Sequence, residues 1–328
     1  MIEEKIHNLL ELRRHTELPV DLLVYVDAAT DRTADILRPY SDRLHLLVAT
    51  ERRGKSAGMN RLVGMTTADI LVFTDANVMM EPDALTRLQP YFADPTVGCV
   101  CGHLVYTNST ETSTAAVGAA YWRSEEELKQ LDSETGGVIG ADGSIFAIRA
   151  SLHRPVPDDI IDDFYLSLSI LCDGHRVVRA DDVRATETSA VDSADEYRRK
   201  VRIACQAFNV HRLMRRRLRS LHWTLRYKYV SHKLLRWLSP LNASVGTLFF
   251  ALAMATWLAW PVGLLILVLA TTSVDFLVTG PVPAPFQRLR DIALALAGTA
   301  VGVLRSLRGE RFQTWRPPQS RAIRTTNP

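Results

Sequence analysis

The sequence predicts an α/β chain: a domain built on a parallel sheet, followed by C-terminal transmembrane helices. Three observations carry this. Short apolar runs at 22–26, 44–48, 70–74 and 97–106 alternate with helical segments, the rhythm of a parallel sheet with helical crossovers. The run 70–74 is an uninterrupted Ile-Leu-Val-Phe stretch, which suits a strand buried on both faces, and it closes on Asp75 and Asn77. The third observation is charge segregation. Residues 198–236 contain thirteen Lys or Arg and no Asp or Glu, whereas 241–279 contain one charge, Asp275. A basic block running into an apolar one is how a cytoplasmic domain joins a membrane.

Taken in order, residues 1–17 read as a helix with Ile2, Ile6, Leu9 and Leu10 on one side, ended by Pro19. The strand 22–26 follows, then the turn 27–33 and a helix through Tyr40, with Thr30 or Asp31 as N-cap. After the strand 44–48 comes a basic loop, 51–55, and a short helix, 56–62. Pro82 opens the helix beyond strand 70–74. From Thr107 the rhythm changes: a helix over 112–131, a glycine-rich loop with Gly136, Gly137, Gly140 and Gly143, the strand 144–149, an acidic loop at 158–163, a helix over 164–172 ended by Gly174, and a short strand at 176–179. Cys99, Cys101, Cys172 and Cys205 fit no zinc or CxxC spacing and read as reduced thiols of a cytosolic domain. No apolar signal region opens the sequence. Gly54-Lys55-Ser56 is not a phosphate-binding loop of the Walker type, because Ala49 stands where that motif needs its first glycine.

Four features could carry chemistry. Asp27 ends a strand. Gly54-Lys55 with Asn60 forms a mobile basic loop suited to a phosphate. Asp75 and Asn77, two apart in extended chain, project to the same side at the carboxyl end of a strand, where open α/β sheets bind ligands. Their oxygens suit a hard cation such as Mg2+ or Mn2+. Asp162 and Asp163 are adjacent carboxylates, whose repulsion raises one pKa toward that of a general base. Each feature also has a plainer reading: a strand-ending turn for 75–77, a surface charge for Lys55, and acids offsetting a helix dipole for 162–163. For Arg199 and Arg202 the plainer reading is a membrane-facing basic helix.

Together, over roughly residues 20–240, the features resemble glycosyltransferase family 2, the inverting enzymes of the GT-A (Rossmann-like, nucleotide-diphospho-sugar transferase) fold, and especially its membrane-bound polysaccharide-type members. VDAATDRT, 26–33, is similar to the nucleotide-contacting turn, with Val26 where the family has its first Asp. Arg53-Gly54-Lys55 with Asn60 resembles the segment near the diphosphate, and Thr74-Asp75-Ala76-Asn77 the metal-binding DxD variant. Asp142-Gly143 with the strand 145–149 is similar to the acceptor-side strand. Asp162-Asp163-Phe164 matches the family's acidic motif, which implies that Asp163 is the catalytic base and Asp162 is acceptor-side. Arg199-Lys200-Val201-Arg202 aligns with the QxxRW region; Arg199 replaces Gln, Ile203 replaces Trp, and Arg202 is kept. The resemblance thus implies donor contacts at Asp27, Lys55, Asn60 and Asp75, acceptor-side Asp142, Gly143 and Asp162, diphosphate or gating roles for Arg199 and Arg202, and a divalent cation on Asp75 and Asn77. Family members open with a strand that lies inside the sheet. This sequence starts at the helix after it, so the reading expects either an upstream start or a donor pocket that is incomplete and catalytically impaired.

The domain division that follows is 1–197 for the glycosyltransferase domain, 198–238 for basic interfacial helices, 239–280 for a transmembrane hairpin and 281–328 for an interfacial or third membrane helix and tail. Residues 241–260 are uncharged and long enough to span about 30 Å of hydrocarbon; 262–279 form the second candidate, and Asp275 sits near its interfacial end. Residues 292–304 are short for a span and flanked by arginines, which suits an interfacial helix. The positive-inside rule places the catalytic domain at the cytoplasmic face of the cell (inner) membrane, multi-pass. The expected partners are a nucleotide-diphosphate sugar, a lipid-linked or glycan acceptor and membrane lipids. Arg215-Arg216-Arg217-Leu218-Arg219 invites a nucleic-acid reading, but the adjoining apolar hairpin makes anionic lipid the expected partner and nucleic acid not.

Overall fold

A computed structural model describes residues 1–108, 110–279 and 286–313, without the side chains of 274, 275 and 277–279. The expectations for Asp275, for 281–285 and for the tail 314–328 therefore fall outside the described residues. Helix α1 (Ile2–Arg14) leads into β1 (Leu23–Val26), α2 (Thr33–Leu37) and β2 (His45–Val48); β1 and β2 pair in parallel as a two-stranded sheet. Then come α3 (Lys55–Val63), β3 (Ile70–Thr74), β4 (Met79–Met80), α4 (Ala84–Leu88), β5 (Val97–Tyr106), α5 (Ser113–Glu134), β6 (Ile145–Arg149), α6 (Asp162–Cys172) and β7 (Arg176–Glu187). Five of these strands form the second sheet, in the order β3-β6-β5-β7-β4.

That sheet is mixed, which corrects the expectation of a parallel one. β5 and β7 are parallel, but β3 runs antiparallel to β6, β6 to β5, and β4 to β7. An apolar run signals a strand covered on both faces, and helices cover a sheet whichever way its strands run; direction is not encoded in that signal. The strand 70–74 is also less buried than expected: only Leu71 is fully buried, whereas four of the five β6 residues are. The expected single sheet is divided as well. Among the described residues β1 pairs only with β2, and β3 only with β6.

Helix α1 holds the two sheets together. Its Ile6 and Leu10 pack with Leu22, Val26, Leu37 and Leu44 of the β1–β2 unit, and its Leu12 packs with Val78, Met80 and Val97 of the larger sheet. The opposite face of the larger sheet buries Phe146, Ile148, Leu166, Ile170 and Val177 against α6 and α7 (Ser193–Met214). Two helices start on side-chain caps: at α5 Thr112 Oγ1 accepts from Ala115 N–H, and at α7 Asp192 accepts from Asp195 N–H.

Beyond α7 lie α8 (Trp223–Tyr229), α9 (Leu235–Trp237), α10 (Ser239–Trp257), α11 (Trp260–Thr279) and α12 (Gln287–Leu307). Part of the basic block, expected to face lipid, instead faces protein. Helix α5 buries Glu125, Glu126, Lys129 and Asp132 on one side, and Glu125 pairs with Lys233 at 2.8 Å and Arg236 at 2.5 Å, Asp132 with Lys228 at 3.3 Å. Arg215, Arg216, Arg219 and Arg226 stay exposed beside Trp223 and Tyr227. Helix α12 is longer than the expected 292–304 and docks on α7. Gly302 makes that approach possible: a Cβ there would lie 2.5 Å from Val201 O and 2.7 Å from Ala204 Cβ. At the other end of α12 the buried Asp291 accepts from Ser113, Thr114 and Ser193 at 2.8–3.1 Å. Among the described residues α10 is the one helix long and apolar enough to cross a membrane; the apolar part of α11 is shorter, at Trp260–Ser273.

Candidate active site

The end of β3 delivers Asp75 to a half-exposed point, and Lys55, the first residue of α3, reaches it. Lys55 Nζ lies 2.8 Å from Asp75 Oδ1 and 3.2 Å from Asp162 Oδ2 at the start of α6. Gly143, in the turn before β6, occupies the centre. A Cβ built on it would lie 3.1 Å from Asp163 Oδ2, 3.1 Å from Lys55 Nζ and 3.5 Å from Asp75 Oδ2. Four elements far apart in sequence therefore bring Asp75, Lys55, Gly143, Asp162 and Asp163 to one point.

The electrostatics of this point are unusual. Asp163 is buried and donates nothing as a carboxylate; it accepts from the Phe164 N–H at 2.5 Å. Burial, then Asp162, push its pKa up to about 8, with Asp142 adding to the rise and Lys55 opposing it. Desolvation of the Lys55 ammonium works against its charge, but Asp162, Asp75 and Asp163 around it outweigh that and raise its pKa. Arg202, on α7, feels the same three carboxylates; burial and the neighbouring Arg199 lower its pKa to about 10, so it stays cationic. Its guanidinium also donates to Gln206 Oε1 at 2.9 Å. Arg199 is turned elsewhere, toward Glu196 at 3.3 Å.

Other expected site residues do structural work around this centre. Both carboxylate oxygens of Asp27 accept backbone N–H groups, from Arg53 at 2.7 Å and Gly54 at 2.8 Å, so Asp27 shapes the loop that presents Lys55. Asn60 is not brought into the cluster: its amide donates to Val156 O and accepts from Val156 N–H, tying α3 to the loop before α6. Asp142 pairs with the buried Lys129 at 2.5 Å, and Lys129 continues to Glu126 at 2.8 Å and Glu126 to Arg179 at 2.8 Å. A cavity of about 970 Å3 opens at the opposite end of β3, beside Asp69, Phe92 and Arg149, and none of the expected site residues line it.

Several residues at the site were not singled out from the sequence. Lys5 of α1 is buried and donates to Thr74 Oγ1 at 3.0 Å and Val78 O at 2.5 Å, clamping the stretch that carries Asp75 and Asn77. Asn77 donates to Glu187 Oε1 at 2.8 Å, at the end of β7. Residues 310–313, past α12, come back beside the loop that presents Lys55: Gln206 donates to Phe312 O at 2.8 Å, Arg311 pairs with Asp159 at 3.3 Å, and a Cβ on Gly54 (φ 89°) would meet Gln313 O at 2.3 Å. Glu187 and Lys5 carry no motif, and nothing in the local sequence marks them.

Among the described residues no three His, Cys, Asp or Glu stand together as a metal cage. Asp75 and Asn77 nevertheless suit a divalent cation by donor chemistry. One carboxylate and one amide oxygen are hard ligands, and a Mg2+-like ion normally completes such a pair with water and substrate phosphate.

Known proteins resemble this chain in sequence and in fold. The profile of "Glycosyl transferase family 2" matches residues 1–156. An N-acetylglucosaminyltransferase of Rhizobium meliloti is 26% identical over 268 residues, 74% of this chain and 59% of that protein. A beta-monoglucosyldiacylglycerol synthase of Synechocystis sp. is 35% identical over 117 residues, 34% of this chain and 24% of that one. The chain thus spans less than two thirds of the length of these relatives. A solved mannosyltransferase from Pyrobaculum calidifontis, in complex with GDP-Man and Mn2+, superimposes with a TM-score of 0.63 at 24% identity, covering 92% of this chain and 83% of that one, which shows a shared GT-A fold. The matched profile places residues 1–156 in glycosyltransferase family 2, and the named relatives and the shared fold are consistent with that.

Proposed function

We propose that the protein is an inverting glycosyltransferase that moves a sugar from a nucleotide-diphosphate donor to a lipid-linked or polysaccharide acceptor at the cytoplasmic face of the membrane. The observation that carries this is the convergence of Asp75, Lys55 and Asp163 around Gly143. The donor diphosphate would lie against Lys55 and Arg202, whose charges stabilise the leaving group. A Mg2+ or Mn2+ ion held by Asp75 and Asn77 would neutralise further charge on that diphosphate. Asp163 takes the proton from the acceptor hydroxyl as its oxygen attacks the anomeric carbon and the bond to the diphosphate breaks. One base and one displacement invert the anomeric centre. The raised pKa of Asp163 suits a group that must hold a proton after taking it. Relatives named N-acetylglucosaminyltransferases make an N-acetylhexosamine nucleotide the first donor to test.

The membrane reading rests on α10 and α11, which pack together and leave Phe249, Phe250, Trp257, Leu265 and Leu269 exposed. We read them as a hairpin in the bilayer, with the exposed Arg215, Arg216, Arg219 and Arg226 on anionic headgroups. The divided sheet favours one alternative, a catalytically impaired protein that keeps the fold for binding or assembly. Donor turnover decides between them: purified protein with Mn2+ and UDP-N-acetylglucosamine should release UDP, and binding without any release would favour the alternative.

A further inference from the structure

The connection from β3 to β4 holds Asp75 and Asn77, and it is fixed from both sides. On one side Lys5 clamps Thr74 and Val78. On the other, the antiparallel β4–β7 ladder pairs Met79 with Thr186, which brings Asn77 beside Glu187 just past the ladder's end. Glu187 is itself pinned: its residue pairs with Tyr106 of β5, and its backbone oxygen accepts from Thr107 N–H at 3.1 Å. Arg199 lies close enough to Glu187 for each charge to favour the other. An ionised carboxylate only accepts hydrogen bonds, so a side-chain amide 2.8 Å away must turn its NH2 toward it. The amide oxygen then points the other way.

We propose that Glu187 is a positioning residue that turns the oxygen of Asn77 toward the cation, and that its carboxylate is why an amide, rather than a second aspartate, stands at position 77. An aspartate there would set two carboxylates in contact, and like charges at that distance expel each other or take up a proton. The amide supplies a hard oxygen without that conflict. The inference rests on the cation reading given above, and it concerns only how this chain orients its own ligand.

Mn2+ binding to the purified full chain in the presence of UDP, followed by electron paramagnetic resonance and calorimetry, tests it. In E187Q the new amide can donate as well as accept, Asn77 is free to turn over, and Mn2+ affinity should fall by about tenfold, the usual effect of removing an outer-shell partner. In N77D affinity should also fall, although a charge has been added to the site. In N77D/E187Q the repulsion is gone, and affinity should return to the wild-type value or exceed it. Tighter binding by N77D alone, or a double variant that sums the two losses, overturns the inference while leaving the cation reading intact. Wild-type protein that binds no Mn2+ overturns the cation reading and the inference together. If E187Q does not fold, the N77D result still decides.

Discussion

Asp163 and Lys129 set the terms at the scale of single residues. To act as the proposed base Asp163 must be a carboxylate, and its pKa is raised to about 8, first by burial. Its charged form is therefore the minor one at neutral pH, and kcat/KM for transfer should rise with pH through about 8 and level off above it. A profile that is flat from pH 6 to 9 would contradict this. The same shift has a thermodynamic sign: an acid whose folded pKa lies above its unfolded value contributes stability at low pH that is lost as pH rises through about 8. Lys129 answers two carboxylates, Asp142 and Glu126, in a buried setting. K129M leaves both without their cation and should cost about 3–5 kcal/mol, read by thermal unfolding in detergent. Gly143 separates site from scaffold. G143A puts a methyl 3.1 Å from Asp163 Oδ2 and Lys55 Nζ, so activity should drop severalfold or more while unfolding temperature stays nearly unchanged. Asp75 and Asp163 were legible in the sequence because each sits in a short pattern at a strand or helix end. Glu187 was not, because its partner Asn77 is 110 positions away and only the β4–β7 ladder brings them together.

Among the elements, existence was legible and direction was not. Apolar runs located β1, β2, β3 and β5, although only β5 is buried along most of its length. Whether β3 lies parallel or antiparallel to its neighbour depends on β6, whose chain comes back 70 residues later, and no local pattern records that pairing. The buried charges of α5 were hidden for a related reason: Glu125 and Asp132 find Lys233, Arg236 and Lys228, and Glu126 and Lys129 find Arg179 and Asp142, all from later in the chain. Helix α12 looked interfacial by length and flanking charge, yet its glycines seat it on α7. G302V should therefore cost about 1–3 kcal/mol by forcing the two backbones apart. Limited proteolysis should then cut near 308–313 faster than in the wild type; an unchanged rate would mean that the α7–α12 contact does not hold this segment.

For the molecule as a whole, the candidate site and the apolar helices α10 and α11 are joined through α7 and α12. Arg202 on α7 faces the site, and the segment after α12 reaches Gly54. The bimodal composition of the C-terminal part, basic then apolar, suggested a membrane-linked chain and hid how many of those basic residues pair with protein. Flotation with vesicles containing anionic lipid should carry the protein. Raising salt should weaken that association only in part, because screening acts on the arginines and not on the exposed Phe249, Phe250 and Trp257. Complete release at high salt would exclude an inserted hairpin.

On the proposed mechanism Asp163 removes the acceptor proton while other groups hold the donor. D163N keeps the shape of the site and removes only the base, so the decisive measurement is donor binding and sugar transfer by D163N side by side. D163N should bind UDP-sugar and Mn2+ within about threefold of wild type, and its transfer should fall by at least about a hundredfold, as loss of a general base requires. Transfer at the wild-type rate with donor still bound would contradict that mechanism.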